Sequence, residues 1–155
     1  MRIYVDCDSC PLQVREIIVK AAGRTHSVAF FVANHKIPHG TNAYTYDILV
    51  EEGKDKADDY IVKHATRRDI AVTRDILLAE RLIAKGVDVI NDRGNRYTQE
   101  NIRERVSLRN YMLELAQNGL KTEEASIFGK KELFQFANAF DTLLTQKLKG
   151  EKVEG

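Results

Sequence analysis

Asp69-Ile70-Ala71-Val72-Thr73-Arg74-Asp75-Ile76-Leu77-Leu78-Ala79-Glu80-Arg81-Leu82-Ile83-Ala84-Lys85-Gly86-Val87-Asp88-Val89-Ile90-Asn91 holds a strand, a helix and a second strand in succession. Asp69 to Thr73 is a short β-type run. Ile76 to Lys85 carries a helical pattern stopped by Gly86, and Val87 to Asn91 is β-type again. Upstream, Ala57 to Arg67 reads as a helix, Thr45 to Val50 as a weaker strand, and Asn34 to Ala43, with Pro38, Gly40 and two histidines, as a loop. Ser27 to Ala33 is a continuous apolar run, as expected of a strand covered on both faces. Pro11 to Ala22 places Leu12, Val14, Ile17, Ile18 and Ala21 at near-helical spacing, with Pro11 suited to a first turn and Gly23 to a stop. Arg2 to Asp6 opens the chain as a strand ending in an acid.

Downstream, Thr98 is a suitable N-cap for a helix running to about Gln117, stopped by Asn118-Gly119. A last amphipathic helix spans Lys130 to Lys149, with Leu133, Phe136, Ala137, Phe140, Leu143 and Leu144 on its apolar side. Strands alternating with helices predict an α/β fold: a three-layer α/β/α sandwich around a mostly parallel sheet. Residues 1–150 are expected to form one domain and residues 151–155 a frayed tail. In such a sheet, ligands bind beyond the carboxyl ends of the strands, where strand order reverses.

The bulk numbers agree with this class. The chain has 155 residues, 43% hydrophobic and 30% charged, enough for a real core. No apolar run approaches the roughly 20 residues of a membrane span. The N-terminus meets a carboxylate at Asp6, too soon for a signal-peptide core, so a cytoplasmic protein is expected. Lys plus Arg number 24 against 23 acids, a formal charge of +1, so any polyanion must be met by a local patch.

Asp6 and Asp8 follow the first strand, Asp75 follows Ile70-Ala71-Val72-Thr73, and Asp92 follows Val89-Ile90-Asn91. Asp55, Asp58 and Asp59 open a helix. Any one of these alone reads as a solvated group or a cap. Together they predict repulsion, ~3 kcal/mol for each pair about 5 Å apart. Hard oxygen ligands in such a cluster suit Mg²⁺ or Mn²⁺, ions that activate water and stabilise phosphoryl displacement.

Asp6-Cys7-Asp8-Ser9-Cys10-Pro11 resembles the Asp-x-Asp-x-Cys-Pro opening of the YaiI/YqxD family of uncharacterised bacterial proteins. Asp55-Lys56-Ala57-Asp58-Asp59-Tyr60-Ile61, Thr73-Arg74-Asp75-Ile76, Asn101-Ile102-Arg103-Glu104-Arg105 and Phe136-Ala137-Asn138 extend the resemblance, in order, over nearly the whole chain. The family is similar in pattern to PIN-like domains, whose metal-dependent nucleases use acids after the first strand, on a middle helix and after a later strand. That resemblance implies Asp6, Asp58 and Asp75 as catalytic acids, with Asp8 as a fourth metal ligand and Thr73 orienting the attacking water or a ligand carboxylate. Asp58 is preferred to Asp59 because Ile61 and Ala65, at i+3 and i+7, put the core face beside it. Two departures stand out. Position 7 is usually small, such as Ala, and the family shows Asn-Pro-Arg-Gly where this chain has Asn91-Asp92-Arg93-Gly94, so Asp92 is not carried over as a ligand.

Arg93 and Arg96 follow the fifth strand and are expected on the rim of Asp6 and Asp75, contacting phosphate by bidentate forks, with Tyr97 as a stacking surface. Arg74 lies beside Asp75, while Arg103, Arg105 and Arg109 lie on the following helix, where a solvated face is an equally good reading. The expected activity is a metal-dependent ribonuclease whose partner is RNA.

Two other activities are consistent with parts of the sequence. Ile3-Tyr4-Val5-Asp6-Cys7-Asp8 fits the opening of haloacid-dehalogenase-type phosphatases, with Asp6 as nucleophile, but Asp58-Asp59 precedes Thr73 where that family's acidic pair follows it. A non-catalytic RNA-binding module with a relic acidic site is the other. Cys7 and Cys10 are expected to be inert thiols, because Asp6 and Asp8 flank Cys7 and repel a thiolate. His35 and His39, with Pro38 between them, read as loop histidines rather than a zinc helix, and His26 and His64 carry no partner signal.

Overall fold

A computed structural model describes residues 1–53, 55–120 and 127–154, with the side chains of 151–154 left out. Six β-type runs pair into one sheet: β1 (Arg2–Asp6), β2 (Val28–Ala33), β3 (Thr45–Leu49), β4 (Ile70–Val72), β5 (Asp88–Ile90) and β6 (Arg96–Tyr97). Their spatial order is β3-β2-β1-β4-β5-β6, parallel throughout except for β6 against β5. Strand order reverses between β1 and β4. The register Val5↔Val72 therefore brings Asp6 and Thr73 out together at the carboxyl edge of this switch point.

Alternation along β1 assigns the two faces of the sheet. Ile3 and Val5 face one core, shared with Phe31, Ile70, Val72 and Ile90, under α1 (Leu12–Thr25) and α5 (Lys130–Glu154). Tyr4 faces the other, with Val32, Ala71, Val89 and Tyr97, under α2 (Lys56–His64), α3 (Ile76–Ala84) and α4 (Ile102–Gln117). Helices on both faces of a mostly parallel sheet make the three-layer α/β/α sandwich that the alternation predicts. Among the described residues, no helix is long and apolar enough to cross a membrane.

Several boundaries differ from the sequence reading, each for a local reason. α1 does not stop at Gly23 but continues to Thr25, with His26 left-handed at φ 55°. Gly23 serves close approach instead, because a Cβ there would lie 2.9 Å from Asn42 Nδ2, which donates to the Val19 carbonyl. α2 ends at His64 rather than Arg67. Asp69 accepts from the Thr66 amide and hydroxyl and turns the chain, while its other oxygen takes the Arg2 amide. Thr98 does not cap α4. It forms a reciprocal turn with Asn101, Thr98 N donating to Asn101 Oδ1 and Asn101 N to Thr98 Oγ1, so the helix starts at Ile102. α5 runs on to Glu154, through most of the expected tail, whose last residue, Gly155, lies outside the described residues. The two-residue β6 is too short to show in periodicity.

Candidate metal centre

Asp6 is nine-tenths buried, and its Oδ2 accepts from Thr73 Oγ1 at 2.8 Å and from Ser9 Oγ at 3.1 Å. Both donors come from neighbouring chain ends: Thr73 directly follows β4, and Ser9 closes the single 3-10 turn Cys7–Ser9. The Thr73 hydroxyl in turn accepts from Asp75 N at 3.0 Å, tying the two acidic loops together. Asp75 caps α3, its Oδ1 accepting from the amides of Leu77 and Leu78. Among the described residues, Oδ1 of Asp6 and Oδ2 of Asp75 take no protein hydrogen bond and keep their lone pairs open.

Asp58, in the first turn of α2, faces these two acids across a cavity of about 280 Å³ that Asp8, Ser9, Asn34, Asp55 and Lys56 also line. Burial, followed by the charges of Asp6, Asp75 and Asp55, pushes the Asp58 carboxyl up to about 7, with Arg81 pulling the other way. Asp6 is also raised, by burial first, against the lowering effect of its Thr73 and Ser9 hydrogen bonds, with Asp75 and Asp8 adding to the rise. Asp59 instead turns outward and pairs with Arg81 at 2.9 Å, so the core-face argument distinguishes the two adjacent aspartates. Asp55 adopts a left-handed conformation at φ 67°, a backbone outlier of the kind that clusters at ligand sites.

Asp6, Asp8, Asp58 and Asp75 thus meet in one cavity. Among the described residues, however, no three His, Cys, Asp or Glu side chains are drawn together tightly enough to grip an ion as they stand. The donors are hard carboxylate oxygens with unspent lone pairs, and an acid held half-protonated near neutral pH marks charge that a cation would neutralise. In chemistry the set fits Mg²⁺ or Mn²⁺.

The arginines divide. Arg74 and Arg109 flank Asp75 and Ser9 in a cleft of about 300 Å³ beside the acids, and Arg74 Nη1 stands 3.9 Å from Asp92 Oδ2. Arg105 lies over the Tyr97 ring at 5.8 Å. Tyr97 is buried in the sheet core, so it is not the stacking platform expected for a base. Arg93 and Arg96 do not join the acidic rim. β6 reverses the chain, Arg96 lies opposite Ile90, and its side chain runs back to Asp88 at 2.9 Å. Arg93 contacts Glu132 at 3.8 Å and the Phe128 ring at 5.7 Å. Both line a second groove that shares no residue with the acid cavity.

Asn34, Ser9 and Lys56 are polar lining residues that sequence reasoning passed over, beside Gly53 and Ala57. Asn34 directly follows β2, and inspecting the residue after every strand would have found it. Cys7 and Cys10 are free and buried. Burial pushes Cys7 up to about 12 and raises Cys10 as well, so neither is a thiolate near neutral pH. No histidine lines the acid cavity among the described residues. His39 packs against Phe31 and pairs with Asp47, His26 stacks on Tyr44, and His64 lies tilted against Tyr60.

The profile of the family described as "Uncharacterized BCR, YaiI/YqxD family" matches residues 4–146. A protein called "UPF0178 protein" from Treponema denticola is 44% identical over 149 residues, covering 96% of this chain and 95% of its own. Proteins of the same name from Syntrophobacter fumaroxidans (44% over 149 residues, 96% and 97% covered) and Treponema pallidum (43% over 141 residues, 91% and 80%) are similarly related. No solved structure matches the chain.

Proposed function

We propose that this chain, which belongs to the YaiI/YqxD family, is a PIN-like, metal-dependent nuclease that hydrolyses phosphodiester bonds of RNA. The observation that carries the reading is the meeting of Asp6, Asp8, Asp58 and Asp75 in one cavity at the switch point of the sheet. Burial first, and then the charges of Asp6, Asp75 and Asp55, raise the Asp58 carboxyl. These four residues would hold Mg²⁺ or Mn²⁺. When bound, such an ion supplies a Lewis acid that lowers the pKa of a water and offsets charge developing on the phosphate.

The protein's own groups do the rest. Thr73 and Ser9 fix Asp6 through Oδ2 and leave Oδ1 turned to the cavity. Asp75 is held rigid as the cap of α3, so its ligand oxygen needs no ordering when substrate arrives. Asp58 would give up its proton to a bound cation, so occupancy would fall steeply as pH drops below neutrality. Arg74 and Arg109 present guanidinium groups beside Asp75 and take the scissile phosphate, a role better placed there than at Arg93 and Arg96. Arg105, one helical turn from Arg109, extends the same basic face.

Purified protein with Mn²⁺ should cleave a single-stranded RNA, and Asp6→Asn or Asp75→Asn should abolish cleavage. Equal cleavage by all three proteins would assign the activity to a contaminant and remove the claim. A beryllium fluoride adduct on Asp6 would assign a phosphatase instead. RNA binding in EDTA with no turnover under any divalent ion would leave a binding module.

A further inference from the structure

The groove that Arg93 and Arg96 do line runs between the β5–β6 turn and the side of α5, with a volume of about 600 Å³. Its helical wall carries Gln135, Asn138 and Gln146, with Thr142 between, at i, i+3, i+11 and i+7: one stripe of neutral amides and a hydroxyl. Among the described residues, none of these four side chains hydrogen-bonds to another protein group, so their donors and acceptors face the groove unspent. No acid lines it among the described residues; Asp88 and Glu132 contact Arg96 and Arg93 from beyond the wall.

The opposite wall is rigid. Asn91 Oδ1 accepts from the amides of Arg93 and Asn95, and Gly94 turns the chain at φ 84°. A Cβ at Gly94 would lie 2.5 Å from the Gln135 carbonyl oxygen, so the turn abuts α5 directly. Asp88 is also served by Lys147 at 2.7 Å, so an anion drawing on Arg96 does not strand the Asp88 charge. Two stretches that stand out in the sequence, Asn91-Asp92-Arg93-Gly94 and Phe136-Ala137-Asn138, converge here, and neither reaches the acid cavity.

We propose that this groove is a nucleotide-binding site, distinct from the acid cavity. Arg93 and Arg96 take the phosphate, and the amide stripe pairs with the donor and acceptor edges of the base and sugar. Paired guanidinium groups match a phosphate. Side-chain amides, donor and acceptor in one group, match nucleobase edges. The ligand is a nucleotide unit, either free or within a single strand, and the site does not depend on the acid cavity being catalytic.

The test uses the full chain in EDTA, where no metal-dependent cleavage can intervene. Calorimetric titration is run with adenosine and uridine 5′-monophosphates in one arm and an eight-nucleotide single-stranded RNA in the other. The triple variant Gln135→Ala/Asn138→Ala/Gln146→Ala changes exposed helix positions where Ala favours the helix, so its fold, checked by melting, should persist. Saturable binding of either probe, weakened about tenfold or more in the triple variant and in Arg96→Ala, supports the site. Binding of the monophosphates marks a free-nucleotide site, and binding of the oligomer alone marks a strand-holding one. Failure of both probes to bind, or unchanged affinity in a folded triple variant, overturns it.

Discussion

Replacing Asp58 with Asn should stabilise the metal-free protein, by an amount that depends on pH. The Asp58 carboxyl rises from 3.8 to about 7 on folding, so the native state holds its proton more tightly than the unfolded chain. With the folded pKa above the unfolded one, wild-type stability falls as pH rises from about 4 to about 7, and the penalty is complete above that window. At ~1.36 kcal/mol per pKa unit the ceiling is ~4 kcal/mol. Solvent screens this half-buried group, so we take about half, ~2 kcal/mol. Asn removes the charge and gives up no protein hydrogen bond among the described residues. For a chain of this size that is ~4–8 °C in Tm. Melts followed by circular dichroism in EDTA should show a gain near zero at pH 4 and the full gain at pH 8. Mn²⁺ should reverse the order, stabilising wild type by ~2.7 kcal/mol at a hundredfold excess over Kd and the variant by much less. Equal melting at pH 8, or the same gain at both pH values, would refute a repulsive acid cluster.

Asp92→Asn should also raise the unfolding free energy, by about 1–2 kcal/mol in denaturant titrations. Asp92 is buried, neither of its oxygens has a hydrogen-bond partner among the described residues, and Arg74 at 3.9 Å is a distant counter-ion. Gly94→Ala should cost ~2–4 kcal/mol in the same assay, because its Cβ would meet the Gln135 backbone at 2.5 Å on a left-handed residue. Cys7→Ala should leave metal-dependent cleavage unchanged and cost no more than ~1 kcal/mol, since the buried thiol is protonated and only fills space.

Strong periodicity made the sandwich legible, because helices such as Ile76–Ala84 and runs such as Val28–Ala33 repeat their signal over several residues. The acid cavity was legible for a related reason. Asp6 and Asp75 stand where strands end, and Asp58 sits beside the buried Ile61, which separates it from Asp59. Hidden features were those decided by a single pairing, distant along the chain for Gly23 and within a few residues for Thr98 and Arg96. Nothing near Gly23 announces Asn42, nothing near Thr98 says that Asn101 will answer it, and the reversal at β6 carries Arg96 away from the rim that its position after β5 implies. Sequence distance from a strand end locates a residue's backbone; the direction of its side chain depends on a partner strand only two residues long.

The central claim, that the four aspartates hold a divalent ion, is tested most directly by anomalous diffraction from metal-free crystals soaked in Mn²⁺. The account predicts an anomalous peak in the cavity within roughly 2.5 Å of carboxylate oxygens of Asp6 and Asp75, with Asp58 or Asp8 completing the set. A cavity without a peak at saturating Mn²⁺, or a peak bound only elsewhere on the protein, would contradict it.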